Sequence, residues 1–220
     1  MNANGQVPVW DRFVRLFHWA LAAGFFTAYL VEDELMGLHV WAGYLIGALV
    51  LIRVLWGIIG PRHARFADFV PGPARFTAYL GELIHGRERR YLGHNPAGGA
   101  MIVALLLALM ATVTTGLMVY GAEEKAGPLA DWYAADNRSP ALPGIAPAHA
   151  DAGEAHEGGE GHEEEAETLE ELHEFFANFT LLLVVLHVAG VVFASRREGQ
   201  NLARAMVTGR KRAPHGDGPA

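Results

Sequence analysis

Residues 172–190, LHEFFANFTLLLVVLHVAG, are apolar enough to cross a membrane, yet they carry two imidazoles, His173 and His187. A helix needs about 20 mostly apolar residues to span roughly 30 Å of hydrocarbon. Three other stretches of that kind flank this one, at roughly 13–31, 38–59 and 97–120, and the fourth extends over roughly 175–194. A water-soluble core of this size would alternate shorter amphipathic segments with polar loops. The sequence therefore predicts an all-α integral membrane protein, a bundle of four transmembrane helices. The first run holds His18, ends in Glu32–Glu34 and lacks a small-residue cleavage site, so it reads as a span rather than a removable leader.

Charge sets the expected orientation. Arg12 and Arg15 open the first span. The 60–96 connection carries Arg62, Arg65, Arg75, Arg87, Arg89 and Arg90, and the tail carries Arg196, Arg197, Arg204, Arg210, Lys211 and Arg212. The other two connections are acidic: 121–172 holds 14 carboxylates against Lys125 and Arg138, while the rest of the chain has a net charge of +5. Cytoplasmic loops collect Lys and Arg, so both termini are expected in the cytoplasm of a multi-pass protein of the bacterial inner membrane. Trp10, Trp19, Trp41 and Trp56 flank the spans as an aromatic belt would. Within the basic connection, GPARFTAYLGELIHGRERR has Phe76, Tyr79, Leu80, Leu83 and Ile84 at helical spacing, which suits a cytoplasmic helix lying on the membrane. A surface helix packed on the protein would show the same pattern.

The expected organisation is a single membrane domain over 1–220. Residues 121–170 form an acidic, His-rich periplasmic loop, partly disordered across 140–166, and 213–220 form a flexible tail. His149, His156 and His162 sit among carboxylates in that loop. They could take up a divalent metal or belong to a solvated spacer. The chain has no cysteine, which excludes disulfides, thiolate-held iron–sulfur clusters and covalently attached c-type haem. No nucleic-acid partner is expected.

Imidazoles inside a membrane are costly and mark function. His18 lies early in span 1, toward the inside. His39 opens span 2 and His173 opens span 4, toward the outside. His187 is 14 residues beyond His173, about 21 Å deeper on nearly the same helix face. That face carries Ala177, Thr180 and Val184, and His39 is followed by Gly43 and Gly47. Small residues at this spacing also serve tight helix packing. Two depths with two histidines each are too few for a mononuclear zinc or copper site, which takes three or four ligands. They match two iron porphyrins, each held from opposite sides: His18 with His187 inside, His39 with His173 outside.

The motifs VPVWDRFVRLFHW, LHVWAGY, RVLWGIIGPRHARFADFV, HNPAGGAMI and LHEFFANFTLLLVVLHVAGVVFASRREGQNLARAMVTGRKR resemble the bacterial cytochrome b561 family, close to the b-type cytochrome subunits of nickel–iron hydrogenases. The resemblance covers roughly 7–120 and 168–212. It implies two non-covalent haems b with iron ligands His18, His39, His173 and His187, and electron transfer across the membrane, commonly with quinone; the periplasmic redox partner is expected to be a hydrogenase-like subunit or, from the acidic loop, a cytochrome c. The long acidic loop departs from the family and could steer a basic partner. Arg15 and Arg53 are candidates for haem propionates, or snorkel to the interface. His63 and His94 are candidates for a quinone site, or cap helix ends. Contact with lipid is expected, and association as a homodimer is left open. Readings from other classes are a divalent-metal transporter or sensor and a non-redox anchor for a peripheral enzyme. No nucleophile, general base or phosphate loop marks a complete enzyme.

Overall fold

The computed structural model describes residues 6–31, 35–61, 63–86, 91, 93–136 and 157–212. Helix α1 (Arg12–Leu30), α2 (Met36–Ile59), α5 (Pro96–Ala122) and α7 (Glu157–Glu198) contain the four runs read as spans. Each boundary has a local cause. Asp11 caps α1, its Oδ1 accepting from Val14 N at 2.8 Å. Asn95 caps α5 by accepting from Gly98 N at 2.7 Å, with Pro96 in the first turn. The HNP motif is therefore a helix start: an oxygen for an orphan donor, then a residue with no N–H to satisfy.

The spans form an open arrangement. α5 packs closely along α7, α1 along α2, and α2 more lightly on α5; neither α1 nor α2 packs closely along α7. Phe17, Phe25 and Ala28 of α1, Ala42, Ile46 and Val50 of α2, and Leu106 and Leu109 of α5 build the apolar core. Leu51, Leu55, Ile58 and Ile59 point outward, as lipid-facing side chains do. Polar ties cross the remaining gaps. Tyr29 Oη donates to Asn178 Oδ1 at 2.7 Å, joining α1 to α7. Thr112 and Thr180 hydroxyls meet at 3.1 Å, joining α5 to α7, and Thr180 is fully buried. Replacing Thr180 with Val keeps the shape and removes this bond. It is expected to cost about 1 kcal/mol, read as a lower unfolding temperature in detergent.

Shorter elements close one end. Strand β1 (Gln6–Pro8) pairs antiparallel with β2 (Arg210–Arg212). α8 (Leu202–Thr208) ends at Gly209, whose φ of 79° turns the chain into β2, a conformation that favours glycine. Lys211 Nζ donates to Gly93 O at 3.1 Å, and Arg15 Nη1 donates to the Val207 carbonyl. The two terminal strands and the α2–α5 connection thus share one end, the basic end. α3 (Phe66–Phe69) and α4 (Pro73–Ile84) lie there as well. α4 buries Tyr79 and leaves Leu80 and Ile84 exposed, so the helix has both a packed side and an apolar side turned out. α6 (Ala130–Asp136), Glu123 and Glu124 mark the opposite, acidic end.

Two features differ from the sequence reading. The ribbon β1–β2 was not expected in an all-α chain: three-residue strands without apolar alternation carry no periodic signal. α7 begins at Glu157, inside the 140–166 stretch of which much was expected to be disordered. Glu is a good helix former, and no proline interrupts 157–198. The remainder of that expectation, 140–156 with His149 and His156, lies outside the described residues, as do Arg62, Arg87, Arg89, Arg90 and 213–220.

Candidate functional site

The structure brings the four membrane histidines together in two pairs across the gaps between α7 and its partners. His18 of α1 and His187 of α7 have ring centroids 6.3 Å apart, with planes at 52°. His39 of α2 and His173 of α7 stand 6.0 Å apart, at 84°. A metal–imidazole bond is about 2 Å long and the ring centre lies roughly 1 Å behind the bonding nitrogen, so two imidazoles on opposite sides of one iron have centres about 6 Å apart. Both pairs fit that span. A direct hydrogen bond between the rings would need about 5 Å.

The acidic-end pair shows how its rings are aimed. His39 Nδ1 lies 2.9 Å from the Ala28 carbonyl. His173 Nδ1 lies 3.0 Å from the Thr112 carbonyl and 3.1 Å from Thr115 Oγ1. A carbonyl only accepts, so each Nδ1 carries the proton and each Nε2 keeps its lone pair. This is the arrangement in which backbone oxygens fix the tautomer and orientation of a ligating histidine. A cavity lies between the rings, lined also by Gly43, Tyr44, Gly116, Tyr120 and Ala177. Two glycines shape it. A Cβ on Gly116 would stand 2.8 Å from His173 Cε1, and so would displace the ring. A Cβ on Gly43 would have no heavy atom within 4 Å, because that face of α2 opens onto the cavity. Two separated histidine pairs, one of them beside a glycine-lined cavity, suit a flat apolar group held between each pair.

A family model described as prokaryotic cytochrome b561 matches residues 9–209. The chain belongs to this family. Its four apolar helices are accordingly membrane spans. Similar relatives include proteins named as probable Ni/Fe-hydrogenase B-type cytochrome subunits. The one from Rhizobium leguminosarum bv. viciae is 28% identical, with 52% of this chain and 60% of the relative covered. The Azotobacter vinelandii protein is 28% identical, with 52% and 59% covered. That from Bradyrhizobium diazoefficiens is 27% identical, with 52% and 58% covered. The chain thus spans about 60% of the length of the curated relatives it matches. No solved structure matches.

At the basic end of this cytochrome, the other candidate residues separate. Arg15 is turned to the C-terminal segment through Val207. Arg53 is 3% exposed, donates from Nη2 to the Ala64 carbonyl at 3.1 Å, and lies over the rings of Phe66 and Phe69. His94 stacks against Trp10 at 4.3 Å and Phe69 at 4.8 Å. Burial, then the positive charges of Lys211 and Arg53, push its imidazole down to about 3, so His94 is neutral at ordinary pH. His63, at a φ of 75°, lies close against Gly93.

Sequence reasoning missed the shell around His173. Thr112, Thr115 and Gly116 sit within a span, and hydroxyls at i and i+3 on one apolar helix face are the same kind of signal that singled out the histidines. Among the described residues, no three His, Asp or Glu side chains gather as a metal-ion site.

Proposed function

We propose that the chain is a diheme b-type cytochrome that carries electrons across the membrane between a periplasmic redox protein and quinone. The observation that supports it is the pair of cross-gap histidine couples, 6.3 and 6.0 Å between centroids. His18 and His187 would hold one haem b, and His39 and His173 the other. Each haem, when bound, supplies a one-electron Fe(III)/Fe(II) couple.

The protein's own residues do the rest. The Ala28 and Thr112 carbonyls orient the outer ligands. The Phe17, Phe25, Ile46, Leu106 and Leu109 cluster keeps the interior dry, which lowers the local dielectric. Arg53, buried at the same basic end as His18 and His187, would supply positive charge for the inner porphyrin's carboxylates. α7 contributes a ligand to both sites, so it links them in one rigid element. With the basic end in the cytoplasm, the two sites lie one above the other across the bilayer.

The expected result in detergent is red protein with b-type reduced bands that appear on adding a quinol analogue. Colourless protein would refute the reading as a whole. Haem-loaded protein that exchanges no electrons with quinol or quinone would refute the acceptor.

The acidic end suggests a basic donor. The Glu123 carboxyl is held above its usual range chiefly by burial and then by the negative charges of Glu170 and Glu124. Deleting 140–166 is expected to slow reduction by a basic periplasmic donor at low salt and to leave the rate unchanged at high salt, where such steering is screened. An unchanged low-salt rate in stopped-flow measurements would count against it.

A further inference from the structure

Among the described residues, the buried side-chain nitrogens without a hydrogen-bond partner are Arg15 Nε, His18 Nδ1, Arg53 Nη1 and His94 Nδ1. All belong to the basic end. His18 is assigned as an iron ligand above, and Arg15 is otherwise engaged with Val207. Arg53 Nη1 and His94 Nδ1 remain, and they share a neighbour. Phe69 lies 5.9 Å from the Arg53 guanidinium carbon and 4.8 Å from the His94 ring.

A guanidinium that is 3% exposed needs an anion, because removing the charge from water is costly unless it is paired. Among the described residues none stands at ion-pair distance. Asp11 is the carboxylate felt by Arg53, but it acts from beyond ion-pair distance and accepts instead from Val14 N at 2.8 Å and Trp56 Nε1 at 3.4 Å. In the tautomer with its proton on Nδ1, His94 adds a second donor without a second charge. Its ring lies within electrostatic reach of Lys211, Arg53, His63 and the inner ligand candidate His187. A charged N–H and a neutral N–H offered together suit the two oxygens of one carboxylate.

We propose that Arg53 and His94 form a carboxylate dock for a propionate of the haem held by His18 and His187. This rests on the diheme reading. Lys211, held on Gly93 O and placed 5.5 Å over Trp10, covers the dock from the C-terminal strand. The N- and C-terminal ribbon therefore seals the dock as well as tying the ends of the chain.

The test uses the full-length holoprotein with Arg53→Gln, His94→Phe and His94→Gln, followed by potentiometric titration and resonance Raman of the propionate bending bands. Removing the guanidinium is expected to favour Fe(III) at the inner site. The ferrous-to-ferric ratio at the wild-type midpoint should fall about tenfold, 59 mV for one electron. His94→Phe should shift the ratio about threefold in the same sense, and His94→Gln, which keeps a donor, should restore it. One haem's propionate band should move in Arg53→Gln and His94→Phe, while the outer haem stays unchanged. Loss of the inner haem in those two variants but not in His94→Gln would equally support the dock. An unchanged inner midpoint and band in both variants, or equal haem loss in all three, would overturn it. A wild type without an inner haem would instead overturn the reading beneath, and the dock with it.

Discussion

Replacing His187 with Ala is expected to halve the haem content, from two per chain to one, and to leave the outer site's optical signature intact. His187 stands opposite His18 where α1 and α7 do not pack closely, so the inner group depends on these two rings for its iron. The substitution removes one axial bond and opens the site on the α7 side. The outer couple is 14 residues away along α7, about four helical turns, and its anchoring carbonyls lie on α1 and α5. Exogenous imidazole should restore part of the inner band, because the lost group is a ligand rather than a packing element. Thermal unfolding should drop as well, since a bound cofactor stabilises the folded state by mass action. A variant with unchanged haem content and spectrum would remove His187 from the ligand set.

Gly43→Leu should empty the outer site without touching any ligand. Nothing lies within 4 Å of a Cβ at that position, so the side chain itself is accommodated, but its atoms occupy the cavity between His39 and His173. Overfilling a shaped site costs about 1–3 kcal/mol, and each 1.4 kcal/mol is tenfold in affinity. Outer haem affinity is therefore expected to fall about tenfold, read as outer haem lost on dilution or washing, while the inner haem remains. Gly116→Ala acts differently: its methyl group meets the His173 ring at 2.8 Å, so it should perturb the ligand bond and shift the outer band. If Gly43→Leu retained both haems at wild-type occupancy, that side of α2 would face lipid rather than a cofactor.

The spans were legible because ~20-residue apolar runs have few other readings. The histidine pairs were legible because a polar group in such a run is conspicuous: depth alone paired His18 with His187 and His39 with His173, and the ring centroids of those pairs lie 6.3 and 6.0 Å apart. What the sequence withheld is sequence-distant. The Thr112 and Ala28 carbonyls serve as hydrogen-bond acceptors because of helix register, and backbone oxygens leave no trace in residue identity. The pairing of Val7 with Lys211 joins opposite ends of the chain, a contact too far in sequence for any periodicity to report. Arg15 and Arg53 looked equivalent as basic residues near a span end; only the fold separates them, turning one to Val207 and burying the other over Phe66 and Phe69.

The central claim is two haems on four histidines. The most direct measurement is the ratio of haem b to polypeptide in purified full-length protein, by pyridine haemochromogen absorbance against quantitative amino-acid analysis. The expected ratio is two, with both ferric irons low-spin by electron paramagnetic resonance. A ratio of one or less at full occupancy, or a high-spin iron in the wild type, would contradict it.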